Sequence, residues 1–84
     1  MWYAYVLRSL KNQRLYIGCT NDLQRRLAEH NRGKNRYARY AGPFQLVYSE
    51  SYPERLEARR RELFLKTGKG REFLKRALKE VAGG

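Results

Sequence analysis

Two short apolar runs near the N-terminus limit the fold of this chain more than any other feature. Residues 2–7 (WYAYVL) and 14–19 (RLYIGC) are rich in aromatic and aliphatic side chains, a composition typical of buried strands. The polar residues 11–13 (KNQ) lie between them. Because this link is short, we predict that the two strands pair as an antiparallel hairpin.

A helix and a third strand are predicted after the hairpin. Residues 20–22 (TND) supply side chains that cap helix starts. Leu23 and Leu27 follow at a spacing of four, which places them on one helix face. This helix should end where the basic, glycine-bearing residues 33–43 (GKNRYARYAGP) begin a surface loop. The alternation of residues 45–52 (QLVYSESY) predicts a strand.

Two more helices are predicted in the C-terminal part of the chain. Pro53 suits the first turn of a helix, where its missing N–H costs nothing, and this helix should run to about residue 67. Its predicted inward residues are Leu56, Leu63 and Phe64. After a break at residues 68–70 (GKG), residues 71–81 repeat apolar side chains at the spacing of an amphipathic helix.

The predicted order of elements is β-β-α-β-α-α, which indicates an α+β fold: a small three-stranded antiparallel sheet flanked by helices. Eighty-four residues allow one domain, which we expect at residues 1–82, with 83–84 as a tail. The first apolar run is too short to span a membrane. Cys19 has no disulfide partner within the chain, and a lone thiol favours a reducing compartment, the cytoplasm.

The charge of the chain indicates a polyanionic partner. A formal net charge of +11 on 84 residues attracts polyanions and accelerates their association. An anionic membrane surface is an alternative, but it calls for one basic amphipathic helix. Here the basic residues come from several segments, which favours nucleic acid. An acidic protein is the third alternative.

The residue types present exclude several kinds of site. One histidine and one cysteine cannot form a zinc site, and no phosphate loop of the Walker type occurs. What remains is Tyr5 and Tyr16 on the predicted hairpin, Arg26 and His30 on one face of the first helix, and Glu62 within the second. Taken singly, each also fits an ordinary role as a strand aromatic, a solvated cation or half of a surface ion pair.

Two triplets on the hairpin, residues 3–5 (YAY) and 16–18 (YIG), form a two-part motif. The pair resembles the motif of the GIY-YIG nucleases: the second triplet matches literally, and the first keeps only the final tyrosine of Gly-Ile-Tyr. The resemblance continues through residues 20–31 (TNDLQRRLAEHN) and 60–66 (RRELFLK). Residues 67–74 (TGKGREFL) resemble a small stand-alone single-domain bacterial branch of that superfamily.

The resemblance implies a metal-dependent endonuclease that hydrolyses DNA phosphodiester bonds. Because contacts between basic residues and phosphates read no sequence, we expect structural rather than sequence preference. Glu62 falls on the family's metal-binding glutamate, and one divalent ion, Mg²⁺ or Mn²⁺, would be the cofactor. Arg26 falls on the catalytic arginine and would grip the scissile phosphate. Tyr5 would activate the attacking water, while Tyr16 and His30 would position water or phosphate.

Basic and aromatic residues around this site are predicted to contact nucleic acid. Cations and tyrosines interleave in the loop at 33–43, a pattern suited to phosphates and unpaired bases. The predicted nucleic-acid-binding residues are Arg25, Lys34, Arg36, Tyr37, Arg39, Lys66, Lys69 and Arg71. Residues 59–61 (RRR) are expected to extend this basic rim.

The last part of the chain leaves a second function open. No asparagine follows Asn35, although one near the end often completes the family's site. The alternative is therefore a module on the same fold that binds DNA or RNA with little or no catalysis.

Overall fold

The computed structural model describes residues 1–32 and 42–82, with side chains through residue 79. These residues form β1 (Trp2–Ser9), β2 (Leu15–Thr20), α1 (Leu23–Asn31), β3 (Phe44–Tyr52), α2 (Arg55–Leu65) and α3 (Gly68–Ala82). The predicted order β-β-α-β-α-α and the three-stranded antiparallel sheet are confirmed, with strand order β2-β1-β3. In the described part of the chain, no helix is both long and apolar enough to cross a bilayer.

The central strand, β1, is buried on both faces of the sheet. Alternate side chains of a strand point to opposite faces, so Tyr5 and Leu7 pack against apolar side chains of α1. Ala4 and Val6 pack on the other face against Leu65 of α2 and Leu74 of α3. This double burial explains why residues 2–7 read as a continuous apolar run instead of an alternating one.

The inward face of α2 differs from the prediction. The predicted inward residues Leu56, Leu63 and Phe64 are 58%, 49% and 36% exposed. The buried residues of α2 are Ala58, Glu62 and Leu65. The prediction was wrong because it sought an apolar stripe, whereas the buried face includes a carboxylate at its centre.

The predicted break at residues 68–70 is instead the first turn of α3. The Thr67 hydroxyl accepts a hydrogen bond from the Gly70 N–H at 3.1 Å and so caps the helix start. Gly70 is buried where α2 and α3 meet, and a Cβ atom there would lie 2.0 Å from the carbonyl oxygen of Phe64. Glycine therefore permits the close approach of the two helices.

We predict that Gly70→Ala lowers the free energy of unfolding by about 1–3 kcal/mol, because the added methyl group meets rigid backbone. Gly68→Ala is the matched control: nothing lies within 4 Å of a Cβ atom there, and alanine favours the helix by up to about 1 kcal/mol. Urea unfolding of both variants measures the difference. Equal effects of the two substitutions would contradict this account of the helix contact.

Candidate active site

A cleft of about 770 Å³ is lined by side chains of the sheet and of the helices on both of its faces. The five predicted catalytic residues all line it: Tyr5, Tyr16, Arg26, His30 and Glu62. They come from four elements, β1, β2, α1 and α2. The fold therefore places in one cavity residues that lie up to 57 positions apart in the sequence.

The register of the hairpin places the two motif tyrosines on the same face of the sheet. Tyr5 pairs with Gly18 and Leu7 pairs with Tyr16, and directly paired residues share a face. A Cβ atom on Gly18 would lie 2.3 Å from the Tyr5 hydroxyl oxygen, so the Tyr5 ring passes directly over this glycine. The final glycine of the YIG triplet thus provides the space that Tyr5 occupies.

Helix α1 brings Arg26 and His30 to this face. The Asp22 carboxylate caps the helix by accepting a hydrogen bond from the Arg25 N–H at 3.0 Å. The Arg26 Nε–H donates to the Tyr5 hydroxyl oxygen at 3.1 Å. His30 Nδ1 lies 3.1 Å from the Arg26 carbonyl oxygen. Because a carbonyl only accepts, Nδ1 carries the hydrogen, and Nε2 is the acceptor when the ring is neutral.

Glu62 is a buried carboxylate held by two cations. Its side chain is only 7% exposed, and Arg59 Nη1 donates to Oε1 at 2.7 Å while Lys66 Nζ donates to Oε2 at 2.9 Å. Burial acts to raise the pKa of Glu62, but the hydrogen bonds from Lys66 and Arg59 outweigh it and lower that pKa below its ordinary value. Glu62 is therefore ionised at neutral pH. We call Arg59, Glu62 and Lys66 the Glu62 ion-pair cluster.

Further cations line the cleft beside this cluster. Arg55, Arg59, Glu62 and Lys66 follow one another at helical spacing and form one charged stripe along α2. The guanidinium of Arg55 also lies 5.4 Å from the centre of the Trp2 ring. The sequence prediction missed Arg55 as a cleft residue, although counting back from Glu62 by helical turns points to it.

The predicted nucleic-acid-binding residues lie in three settings. Lys66 and Arg71 line the cleft. Lys69 is exposed in the first turn of α3, and Arg25 is exposed on α1 with its Nη2 donating to Asn21 at 3.2 Å. The loop residues Lys34, Arg36, Tyr37 and Arg39 lie outside the described residues.

Arg61, predicted as part of the basic rim, turns toward the sheet instead. Its Nε and Nη2 atoms donate to the two oxygens of Glu50 at 2.8 and 3.2 Å. Its guanidinium lies 4.7 Å from the ring centre of Phe64 and 4.8 Å from that of Phe73. Only 29% of the Arg61 side chain is exposed. Arg61 is therefore an anchor between α2, α3 and β3 and is not part of a solvated rim.

Glu50 is the centre of this anchor. The hydroxyls of Tyr48 and Tyr52 both donate to its carboxylate, in addition to Arg61. Burial acts to raise the pKa of Glu50, but these hydrogen bonds together lower it. Burial and the bond to Glu50 raise the pKa of Tyr48 to about 12. This Glu50 network (Tyr48, Glu50, Tyr52 and Arg61) fixes α2 on the sheet, so that the next residue, Glu62, faces the cleft.

Known proteins resemble this chain in sequence and in fold. Residues 1–76 match the GIY-YIG catalytic domain family. The UPF0213 protein CPE1444 of Clostridium perfringens is 42% identical over 67 residues, which cover 79% of this chain and 71% of that protein. A UPF0213 protein of Nitratidesulfovibrio vulgaris is also 42% identical over 67 residues, but the match covers only 60% of that protein, less than two thirds of its length.

A solved structure shares the fold. The solution NMR structure of the UPF0213 protein BH0048 from Bacillus halodurans superposes with a TM-score of 0.54 at 36% sequence identity. The superposition covers 92% of this chain and 85% of that one. The sheet and helices that form the cleft thus belong to an architecture already known from experiment.

We predict that Gly18→Ala lowers the free energy of unfolding by about 1–3 kcal/mol, because Tyr5 is only 4% exposed and its ring cannot easily move aside. In a Tyr5→Leu background the ring is absent, so the same substitution should cost at least about 1 kcal/mol less. Chemical unfolding of the four proteins in this double-mutant cycle gives the coupling. An equal cost in both backgrounds would show that Gly18 has another role.

The Glu50 network predicts how stability depends on pH. The pKa of Glu50 is lower in the folded chain than its ordinary value. Ionised Glu50 therefore stabilises the fold at pH values above its ordinary pKa, and this stabilisation is lost as the pH falls below about 5. Glu50→Gln should reduce the free energy of unfolding by about 1.5–3 kcal/mol at neutral pH. It should also make that free energy fall less steeply as the pH is lowered. Thermal unfolding across pH measures this, with the exposed Glu72→Gln as control. If the stability of Glu50→Gln falls with decreasing pH just as that of the unmodified chain does, Glu50 is not the source of the acid dependence.

Proposed function

This chain belongs to the GIY-YIG catalytic domain family, a family of nucleases, and we propose that it is a metal-dependent endonuclease that hydrolyses DNA phosphodiester bonds. The observation that carries the proposal is the shared cleft, where Tyr5, Tyr16, Arg26, His30 and Glu62 come together from four elements. The cations around them suit a phosphate backbone. Because backbone contacts position a substrate without reading bases, we propose structural rather than sequence preference.

The phosphate-binding role is proposed for Arg26. Its side chain is 45% exposed, so a phosphate can reach the guanidinium, which is able to contact two phosphate oxygens at once. The Nε–H group of Arg26 already donates a hydrogen bond to the Tyr5 hydroxyl oxygen. The scissile phosphate would therefore lie beside the Tyr5 hydroxyl.

The donor set of the cleft fits one hard divalent cation. Glu62 is the carboxylate among the cleft residues, and within the described ranges 1–32 and 42–82 no three His, Cys, Asp or Glu side chains are grouped so that they could share a metal ion. Mg²⁺ commonly binds through one or two carboxylates and keeps most of its waters. We propose that Glu62 holds one Mg²⁺ or Mn²⁺ ion, which would neutralise charge developing on the phosphate.

Three side chains are available for moving a proton from water. Tyr5 lies against the phosphate-binding guanidinium, which is the position required of a group that accepts or relays that proton. His30 presents Nε2 as an acceptor because Nδ1 donates to the Arg26 carbonyl. We propose Tyr5 as the activating residue, with His30 and Tyr16 positioning water or phosphate.

We propose that residues 1–82 act as one nuclease domain, with 83–84 as a tail, and that the protein works in the cytoplasm on DNA, with RNA as the second candidate. A role in DNA repair would suit a preference for DNA structure over sequence.

We predict that Arg26→Ala and Glu62→Gln each reduce cleavage by about 100-fold or more, as expected for loss of a group that stabilises charge in the transition state. The measurement is a screen of single-stranded, duplex, flapped and branched DNA, and of RNA, with Mg²⁺, Mn²⁺ or EDTA. Arg32→Ala, at the C-cap of α1, and Glu57→Gln on α2 make the same charge changes at exposed positions outside the cleft.

The outcomes separate the two candidate functions. Full activity in Arg26→Ala or Glu62→Gln would refute the assigned roles. Salt-sensitive binding to nucleic acid, without product under any metal, would favour the binding module on the same fold.

A further inference from the structure

Both oxygens of the carboxylate proposed to hold the metal ion already accept a hydrogen bond within the Glu62 ion-pair cluster. Arg59 holds Oε1 at 2.7 Å and Lys66 holds Oε2 at 2.9 Å. Each oxygen keeps a second lone pair, but a divalent cation bound there would lie beside the Arg59 guanidinium or the Lys66 ammonium group, and like charges repel. The ion pairs compete directly with metal binding.

The three members of the cluster differ in exposure. The Glu62 side chain is 7% exposed, whereas those of Arg59 and Lys66 are 53% and 45% exposed. The carboxylate is fixed inside the cleft, while each cation lies at its surface on a long, flexible stem. The cations can move to a new partner in the cleft while the carboxylate stays in place.

The charge of the surrounding cleft also opposes a metal ion in the absence of an anion. Arg26, Arg55 and Arg71 line the same cavity as Arg59 and Lys66, and like charges repel. A phosphate entering the cleft would offset this repulsion. It would also offer Arg59 and Lys66 an alternative acceptor for their hydrogen bonds.

We propose that Arg59 and Lys66 couple nucleic-acid binding to metal binding by exchanging Glu62 for a backbone phosphate. In the unbound protein they pair with Glu62 and disfavour the ion. When a phosphate occupies the cleft, they turn to it and leave the Glu62 oxygens to the metal. This inference rests on the proposed nuclease function. Because linkage is reciprocal, the metal ion must strengthen phosphate binding by the same factor.

The first experiment measures Mn²⁺ binding to the full chain by isothermal titration calorimetry without nucleic acid. Arg59→Gln and Lys66→Gln should bind Mn²⁺ roughly fivefold or more tightly than the unmodified protein, a change within the usual range of two-site coupling. Arg60→Gln is the matched control, since it removes the same charge from an exposed position on the same helix. Glu62→Gln should lose the site. Thermal unfolding of each variant verifies that it is folded.

The second experiment measures the affinity of a fluorescein-labelled phosphorothioate oligonucleotide by anisotropy, with Mn²⁺ or EDTA at matched ionic strength. Mn²⁺ should tighten binding several-fold in the unmodified chain and have no effect in Glu62→Gln. The proposal is overturned if Arg59→Gln and Lys66→Gln bind Mn²⁺ no better than Arg60→Gln, or if Mn²⁺ leaves oligonucleotide affinity unchanged in the unmodified chain.

Failure of this proposal is distinct from failure of the nuclease assignment. If the protein cleaves DNA but Arg59→Gln and Lys66→Gln bind Mn²⁺ with unaltered affinity, the proposed coupling is wrong and the nuclease assignment stands. If Mn²⁺ and the oligonucleotide bind in a coupled way but no substrate is cleaved, the exchange of partners stands and the catalytic role is wrong.

Discussion

The pairing of β1 with both of its neighbours determines where every other element lies. Because β1 is central, Tyr5 and Leu7 meet α1 on one face of the sheet, and Ala4 and Val6 meet α2 and α3 on the other. Tyr5 points to the first of these layers, and Gly18 on β2 gives its ring the room to reach Arg26. The cleft is therefore a consequence of strand register more than of any loop conformation.

The parts of the fold that the sequence predicted are those with local signals. Two apolar runs predict the hairpin. A capping residue and two leucines spaced four apart predict α1, and the same spacing groups Arg26 with His30. The Glu50 network escaped prediction because Glu50 and Arg61 lie eleven positions apart on different elements. No periodicity connects such residues, and only the packing of α2 on β3 brings them together.

Helix α2 also shows why an apolar stripe is an unreliable guide in a small, strongly charged domain. Its exposed leucines lie outside the core, while its buried face contains Glu62 among Ala58 and Leu65. A buried carboxylate is tolerated here because Arg59 of the same helix and Lys66 at its C-cap satisfy its oxygens. Glu50, by contrast, accepts hydrogen bonds from three side chains, and the guanidinium of Arg61 lies 4.7 and 4.8 Å from two aromatic ring centres.

Consecutive residues of α2 thus serve two different faces of the helix: Arg61 anchors it to the sheet, and Glu62 enters the cleft. Inserting or deleting one residue before this pair would rotate both side chains by about 100° about the helix axis. Such a change would release the anchor and empty the cleft of its carboxylate at once. The length of α2 is therefore under stricter constraint than its composition, and relatives should differ here by substitution while insertions and deletions accumulate elsewhere.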